Sequence, residues 1–209
     1  MEKLDLRKQY KHLYAPSPKK VEVIDVPAFK FVMIDGQIEE GRGPGTSPGF
    51  KEAVQALYSA SYTLKFMSKL QQGIDYGVMA LEGLWWFENG EFDITKPDNW
   101  FYTLLIMQPE HIDEAMFREA LAQLERKKKT PSPALSRLRL AAFREGLSVQ
   151  TLHVGPYATE PETVARMNAF AAEHGYRMAG LHHEIYIGDP LRSAPNKLKT
   201  ILRHAVVPA

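Results

Sequence analysis

The chain has no cysteine among its 209 residues. That excludes disulfides, thiolate nucleophiles and Cys-ligated zinc or iron–sulfur centres. It also lacks an excess of either charge: 26 Lys and Arg face 25 Asp and Glu, a formal net charge of +1. No global field therefore recruits nucleic acid or an anionic membrane. No apolar run approaches a membrane span of about 20 residues. The first ten residues mix charged and apolar side chains and carry no signal-peptide core. The expected location is cytoplasmic. What is present, 44% hydrophobic and 24% charged residues, is the balance of a folded globular chain and not of a disordered one.

The order of elements reads twice along the chain. Residues 1–20 are polar and basic and read as a leader ending at Pro16-Ser17-Pro18. Val21, Val23 and Val26 alternate as a strand, with Pro27-Ala28 as a turn into a second strand, Phe29 to Gly36. Ser47-Pro48 opens a helix that carries Phe50, Val54, Leu57, Tyr58, Ser61 and Leu64. A strand around Glu82, a turn at Asn89-Gly90 and a strand from Phe101 to Met107 complete this half. A helix from Pro109 and a Pro-rich linker at residues 130–133 follow. The second half then repeats the pattern. Arg137 to Phe143, a turn at Glu145-Gly146, Leu147 to Val154, a helix over 161–174, a strand around Glu184 and a last strand, Lys199 to Val206, appear in that order. The domain reading is a leader (1–20), a first β-β-α-β-β module (21–109), a connecting helix and linker (110–136) and a second module (137–209). The fold class is α+β with antiparallel sheets. One helix covers one face of each sheet, so the bare faces are expected to meet and leave a ligand cleft between the halves.

Chemistry concentrates on two carboxylates set inside apolar strands: Glu82 in Met79-Ala80-Leu81-Glu82-Gly83-Leu84-Trp85-Trp86 and Glu184 in Leu181-His182-His183-Glu184-Ile185-Tyr186. A buried carboxylate is costly unless it is paired, protonated or used. Strand alternation groups His182, Glu184 and Tyr186 on one face and His183 and Ile185 on the other. The second set is more apolar and suits the helix side, which points Glu184 and Tyr186 into the cleft. The same logic groups Glu82 with Leu84 and Trp86, and a local bulge would reverse it, so both Trp85 and Trp86 are candidates. A structural hydrogen-bond cluster fits the same residues. His182 and Glu184 are the only members of His182-His183-Glu184 able to share an ion, and no metal is expected. The glycine-rich stretch 41–49 lacks the Gly-Lys-Ser/Thr ending of a phosphate loop. The roughly 20 residues before the first strand leave no room for a helix-turn-helix.

The string Leu81-Glu82-Gly83-Leu84-Trp85-Trp86, together with Ala56-Leu57-Tyr58, Tyr62 to Phe66, Ile34-Asp35-Gly36, Val154-Gly155-Pro156-Tyr157 and His183-Glu184-Ile185-Tyr186 with Asp189-Pro190, resembles the gyrase-inhibitor-like (GyrI-like) small-molecule-binding proteins. The resemblance runs from about Lys8 to Val207. It implies duplicated strand-helix-strand-strand modules with a ligand cleft between the copies, and a strand glutamate, matching Glu184, that meets aromatic or cationic ligands. The paired tryptophans resemble the branch of cyclopropanoid cyclopropyl hydrolases, which open strained cyclopropanes of DNA-alkylating compounds with water inside an aromatic cage. The loop after Asp35-Gly36 is longer here than that branch usually has.

The resulting expectation has Glu184 as the catalytic group. Trp85, Trp86, Tyr58, Tyr62, Glu82, Tyr157, His182 and Tyr186 would be ligand-binding. No cofactor, nucleic acid or membrane is expected, and a small aromatic or cationic molecule is the expected partner. A non-catalytic sequestering or sensor module is the alternative, and a cleft that holds a protein partner is a third reading.

Overall fold

A computed structural model of the chain describes residues 2–87, 100–127, 132–188 and 192–209. The expected turn at Asn89-Gly90, part of the Pro-rich linker, the end of the basic run at 126–129 and Asp189-Pro190 lie outside these residues.

The elements follow in chain order. β1 (Glu2–Leu4), α1 (Leu6–Gln9) and α2 (Lys11–Tyr14) form the N-terminal segment. β2 (Glu22–Gln37), α3 (Pro48–Met67), β3 (Ile74–Tyr76), β4 (Leu81–Trp86) and β5 (Phe101–Gln108) make the first half. After α4 (Glu114–Lys127) come β6 (Arg139–Val154), α5 (Glu160–Glu173), β7 (Tyr176–Met178), β8 (His182–Tyr186) and β9 (Lys199–Pro208). Sequence alternation overlooks the short β3 and β7, which hold too few residues to show a period.

The strands pair antiparallel in the order β6-β2-β5-β4-β8-β9-β7, and β6 also pairs with β9. The ring β2-β5-β4-β8-β9-β6 is therefore closed into a barrel, with β7 outside on β9. Closure leaves no edge within the ring. The two expected hairpins are instead two long strands. β2 and β6 each run 16 residues and pair with each other from Glu22↔Gln150 to Met33↔Arg139. Pro27 lacks an N–H, so it is missing from a register that resumes at Ala28↔Arg144. Gly146, at φ +76°, bends β6 opposite Val26 without ending it. Tertiary pairing overrides the local turn signal.

The Asp35-Gly36 pair has a structural reason. Asp35 accepts two hydrogen bonds from Arg139 (2.7 and 2.9 Å) and one from Thr103 (2.6 Å), tying β2 to both neighbours. A Cβ on Gly36 would lie 2.2 Å from the Tyr102 hydroxyl.

Both helices lie outside the barrel. Ser47 caps α3 by accepting from the Phe50 N–H, with Pro48 in its first turn. α3 buries Ala53, Ala56, Leu57, Ala60 and Leu64 on the β2–β5 side; each buried leucine contributes about 2 kcal/mol. On its flank it meets α4. α5 packs over β6 and β7, burying Met167 and Ala171 against Val149, Leu202 and Val206.

The N-terminal segment is not a loose leader. Leu6, Leu13 and Tyr14 are buried in the main core. Arg203 of β9 donates to the Leu13 carbonyl (2.8 Å) and Gln150 of β6 to the His12 carbonyl (2.7 Å). The bare faces of the two halves thus meet as a barrel interior stoppered by residues 12–14, not as an open cleft.

Candidate functional site

β4 and β8 pair where the halves meet, with Gly83 opposite Glu184 and Trp85 opposite His182. Alternation then puts Gly83, Trp85, His182, Glu184 and Tyr186 on one face, and Glu82, Leu84, His183 and Ile185 on the other. The first face is the helix side. Phe50 of α3 stacks on Trp85 (centroids 5.7 Å, 22° between planes). α5 reaches the same face through Thr163 to His153 (2.8 Å) and Arg166 to Thr151 (3.2 Å). α3 covers the β2–β5 half and α5 the β6–β9 half, so β4–β8 floors the space between them.

This corrects two expectations. Glu184 and Tyr186 do share a face, but it is the helix side. Glu82 and Trp86 lie on the opposite face, because register places Gly83, not Glu82, across from Glu184. Trp86 stacks on Phe101 (6.0 Å, 19°), and Glu82 is fully buried inside the barrel. Both faces of β4 and β8 are buried, so hydrophobicity could not say which one met a helix.

On the helix side Trp85 is 1% exposed, held edge-on by Trp100 (5.4 Å) and Tyr102 (5.7 Å) as well as by Phe50. Its Nε1 donates to the Tyr186 hydroxyl at 3.1 Å. Gly83 leaves space for that bond: a Cβ there would sit 2.8 Å from Trp85 Nε1 and 3.2 Å from Tyr186 Oη. Tyr157, in the turn before α5, meets Tyr186 edge-on (6.1 Å, 90°) and is 37% exposed, marking the outer rim. Tyr58 and Tyr62 of α3 stack on each other (6.3 Å), and Tyr62 is exposed. A shallow concavity of about 290 Å³ on the α4 side of α3, lined by Thr63, Phe66, Leu70 and Gln123, holds no titratable cluster.

The polar centre is compact. His182 Nε2 lies 3.1 Å from Glu184 Oε1. Glu160, the first residue of α5, comes down onto the same spot and is 0% exposed. Ligand atoms of Glu160, His182 and Glu184 all lie within 4.8 Å of one another, close enough to gather round a proton or a cation. Thr200 is the nearest hydroxyl to Glu160, yet neither carboxylate oxygen has a hydrogen bond of regular geometry. Burial, and then the Glu184 charge, push the Glu160 carboxyl up to about 9. Burial and the same charge hold the Tyr186 phenol well above its ordinary value. Beyond His182, His204 is pushed down to about 4, first by burial. Sequence reasoning missed Glu160, because an acid at the first turn of a helix normally reads as an exposed dipole partner.

The other face holds a different assembly. Glu82 accepts from the Tyr14 hydroxyl (2.8 Å) and contacts His183 Nε2 (3.0 Å). His183 Nδ1 contacts Glu145 (3.0 Å), which also takes Arg203 (3.4 Å). Burial alone would lower the His183 pKa, but Glu145 and Glu82 together raise it to about 9. It is therefore an imidazolium at neutral pH, donating from both nitrogens. Glu145 is held below its usual range, its burial outweighed by His183 and Arg203.

A barrel built from two like halves, with two outer helices flanking a floor of rings around a carboxylate, is the architecture of a duplicated small-molecule-binding domain. The chain belongs to the GyrI-like family: the model of the GyrI-like small molecule binding domain matches residues 19–205. A solved structure of an uncharacterized conserved protein from Listeria innocua is 38% identical, covering 98% of this chain and 100% of its own, with a TM-score of 0.88. Another, described as a hydrolase from Listeria innocua, is 36% identical over 98% of this chain and 100% of its own, with a TM-score of 0.83. The EcmrR C-terminal domain shares the fold alone, at 9% identity and a TM-score of 0.54 over 91% of this chain and 98% of its own. No protein of curated function matches. Among the described residues no helix is long and apolar enough to cross a membrane.

Proposed function

We propose that this GyrI-like protein is a cytoplasmic binder of hydrophobic aromatic xenobiotics that also hydrolyses them, acting on cyclopropane-bearing electrophiles. The observation that carries the reading is Glu184, 5% exposed, on the face shared by Trp85 and Tyr186. The hydrolase description of a 36% identical relative supports an enzymatic rather than a purely binding role. Tyr157 and Tyr186, with Trp85 behind them and Tyr58 and Tyr62 on α3, would cage a flat ligand by stacking. Glu184 takes a proton from water as the water oxygen bonds to the strained ring carbon. The ring C–C bond breaks, its electron pair moves to the conjugated carbonyl oxygen, and that oxygen takes up a proton from solvent. Holding water and electrophile together contributes through proximity, and the carboxylate through general-base catalysis.

The test is turnover of a spirocyclopropyl-cyclohexadienone followed by mass spectrometry. Glu184→Gln is expected to lose turnover, by about 10²–10⁴-fold for a general base, while keeping binding of a neutral aromatic ligand. Equal turnover in the variant removes the catalytic role. Intact ligand recovered from a saturated wild-type complex replaces this reading with sequestration alone.

A further inference from the structure

We infer that Glu160 and Glu184 form a buried carboxyl pair that holds one proton between them, with Glu160 positioning Glu184 toward the ring-lined face. The inference deepens the proposed role of Glu184, and part of its test stands without that role.

Three observations carry it. Glu160 is wholly buried, with the Thr200 hydroxyl beside it but no hydrogen bond of regular geometry, and a buried, uncompensated carboxylate ion costs several kcal/mol. Its nearest charged neighbour is another carboxylate, and like charges at this range do not both stay ionised. Among the described residues, the titratable groups around it are Glu184, His182 and Tyr186 of β8, His204 of β9 beyond His182, and His153 of β6 beside Thr159 and Thr163. No lysine or arginine is among them. Burial and His182 keep the His204 imidazole uncharged at neutral pH.

A proton meets this need with little movement. The two carboxyl groups offer oxygens within 4.8 Å of each other, and closing that gap lets the Glu160 O–H donate to Glu184, a charge-assisted bond of the stronger kind. The same three groups also fit a cation, an outcome that the test below separates. With one proton the pair carries a single negative charge, on the member that shares its face with Trp85 and Tyr186. Glu160 is thus a positioning residue acting through Glu184, and the pair presents one anionic oxygen site backed by a neutral acid.

The first test uses the full chain without ligand. Carboxyl ¹³C NMR of glutamate-labelled wild-type protein should show one glutamate that remains protonated through pH 7 and titrates in the alkaline range. An infrared carboxylic-acid C=O band at pH 7 should be present in wild type and in Glu184→Gln and absent in Glu160→Gln. If every glutamate titrates in the acid range, or if a stoichiometric divalent metal copurifies and is lost in Glu160→Gln, the inference is overturned. Neither result touches the assignment of Glu184 to hydrolysis. The second test rests on the ligand-binding reading and uses ethidium, a planar aromatic monocation. Loss of the shared proton doubles the negative charge, so wild-type affinity should rise several-fold through the alkaline range and stay flat in Glu160→Gln. The same rise in both proteins removes Glu160 as its source.

Discussion

The two faces of β4–β8 solve the same problem in opposite ways. Inside the barrel, Glu82 and Glu145 are buried, and each finds donors: Tyr14 and His183 for the first, His183 and Arg203 for the second. On the helix side, Glu184 and Glu160 are buried around His182, the one basic group that the described residues place within 4.8 Å of both. The strands are the same and the burial is comparable. Paired charges specify a fold, while a carboxylate left short of partners retains a reactivity that pairing would quench.

That contrast breaks first at Arg203. Arg203→Met should cost about 3–5 kcal/mol in denaturant unfolding, because it leaves Glu145 with His183 alone and takes the donor from the Leu13 carbonyl and from Gln150 Oε1. A loss below about 1 kcal/mol would make the interior network ornamental. On the other face, Glu184→Gln should leave unfolding free energy equal or higher, since it removes one of two neighbouring carboxylates. A large destabilisation there would erase the distinction between the faces.

Gly83→Ala sharpens the comparison at the floor. The added methyl crowds Trp85 Nε1 and Tyr186 Oη, with an expected cost of about 1–3 kcal/mol and a shift in tryptophan fluorescence. Tyr14→Phe should cost about 1–2 kcal/mol by taking one donor from buried Glu82.

A further effect is a pH slope. The folded-state pKa of His183 is raised to about 9. Its contribution is therefore complete below its unfolded value near 6.5 and is lost as pH rises through about 9. Wild type minus His183→Gln should fall across that window in pH-dependent unfolding. A flat difference would show that His183 is neutral in the fold.

Much of the fold could be read from residue order. Ser47-Pro48 marks the start of α3 because a cap and a preset φ are local properties, and the run at 101–107 is an apolar stretch of strand length. The α+β class follows from the same signals, whereas the GyrI-like resemblance rests on strings such as Glu82-Gly83-Leu84-Trp85-Trp86. The hairpins misled because Pro27-Ala28 and Glu145-Gly146 have turn chemistry, whereas the β2–β6 pairing that carries the chain through them is non-local. Alternation grouped His182, Glu184 and Tyr186 together, yet it could not tell which side met a helix when both sides are buried. Glu160 gave no sign at all. Its burial depends on how α5 seats against β8 and β9, which no window of sequence contains.

The N-terminal stopper has a consequence in time as well as in space. The Leu13 carbonyl is bound by Arg203, 190 residues further along the chain. β9 also completes the ring by pairing with both β6 and β8. During synthesis, residues 12–14 must therefore wait for β9, 190 residues on, before their native partner exists, and so long a closure is slow. Until then the half-barrel exposes the faces that later enclose Glu82 and His183. The contact joins residues 12–14 to β9, so the barrel is sealed only after β9 has been made.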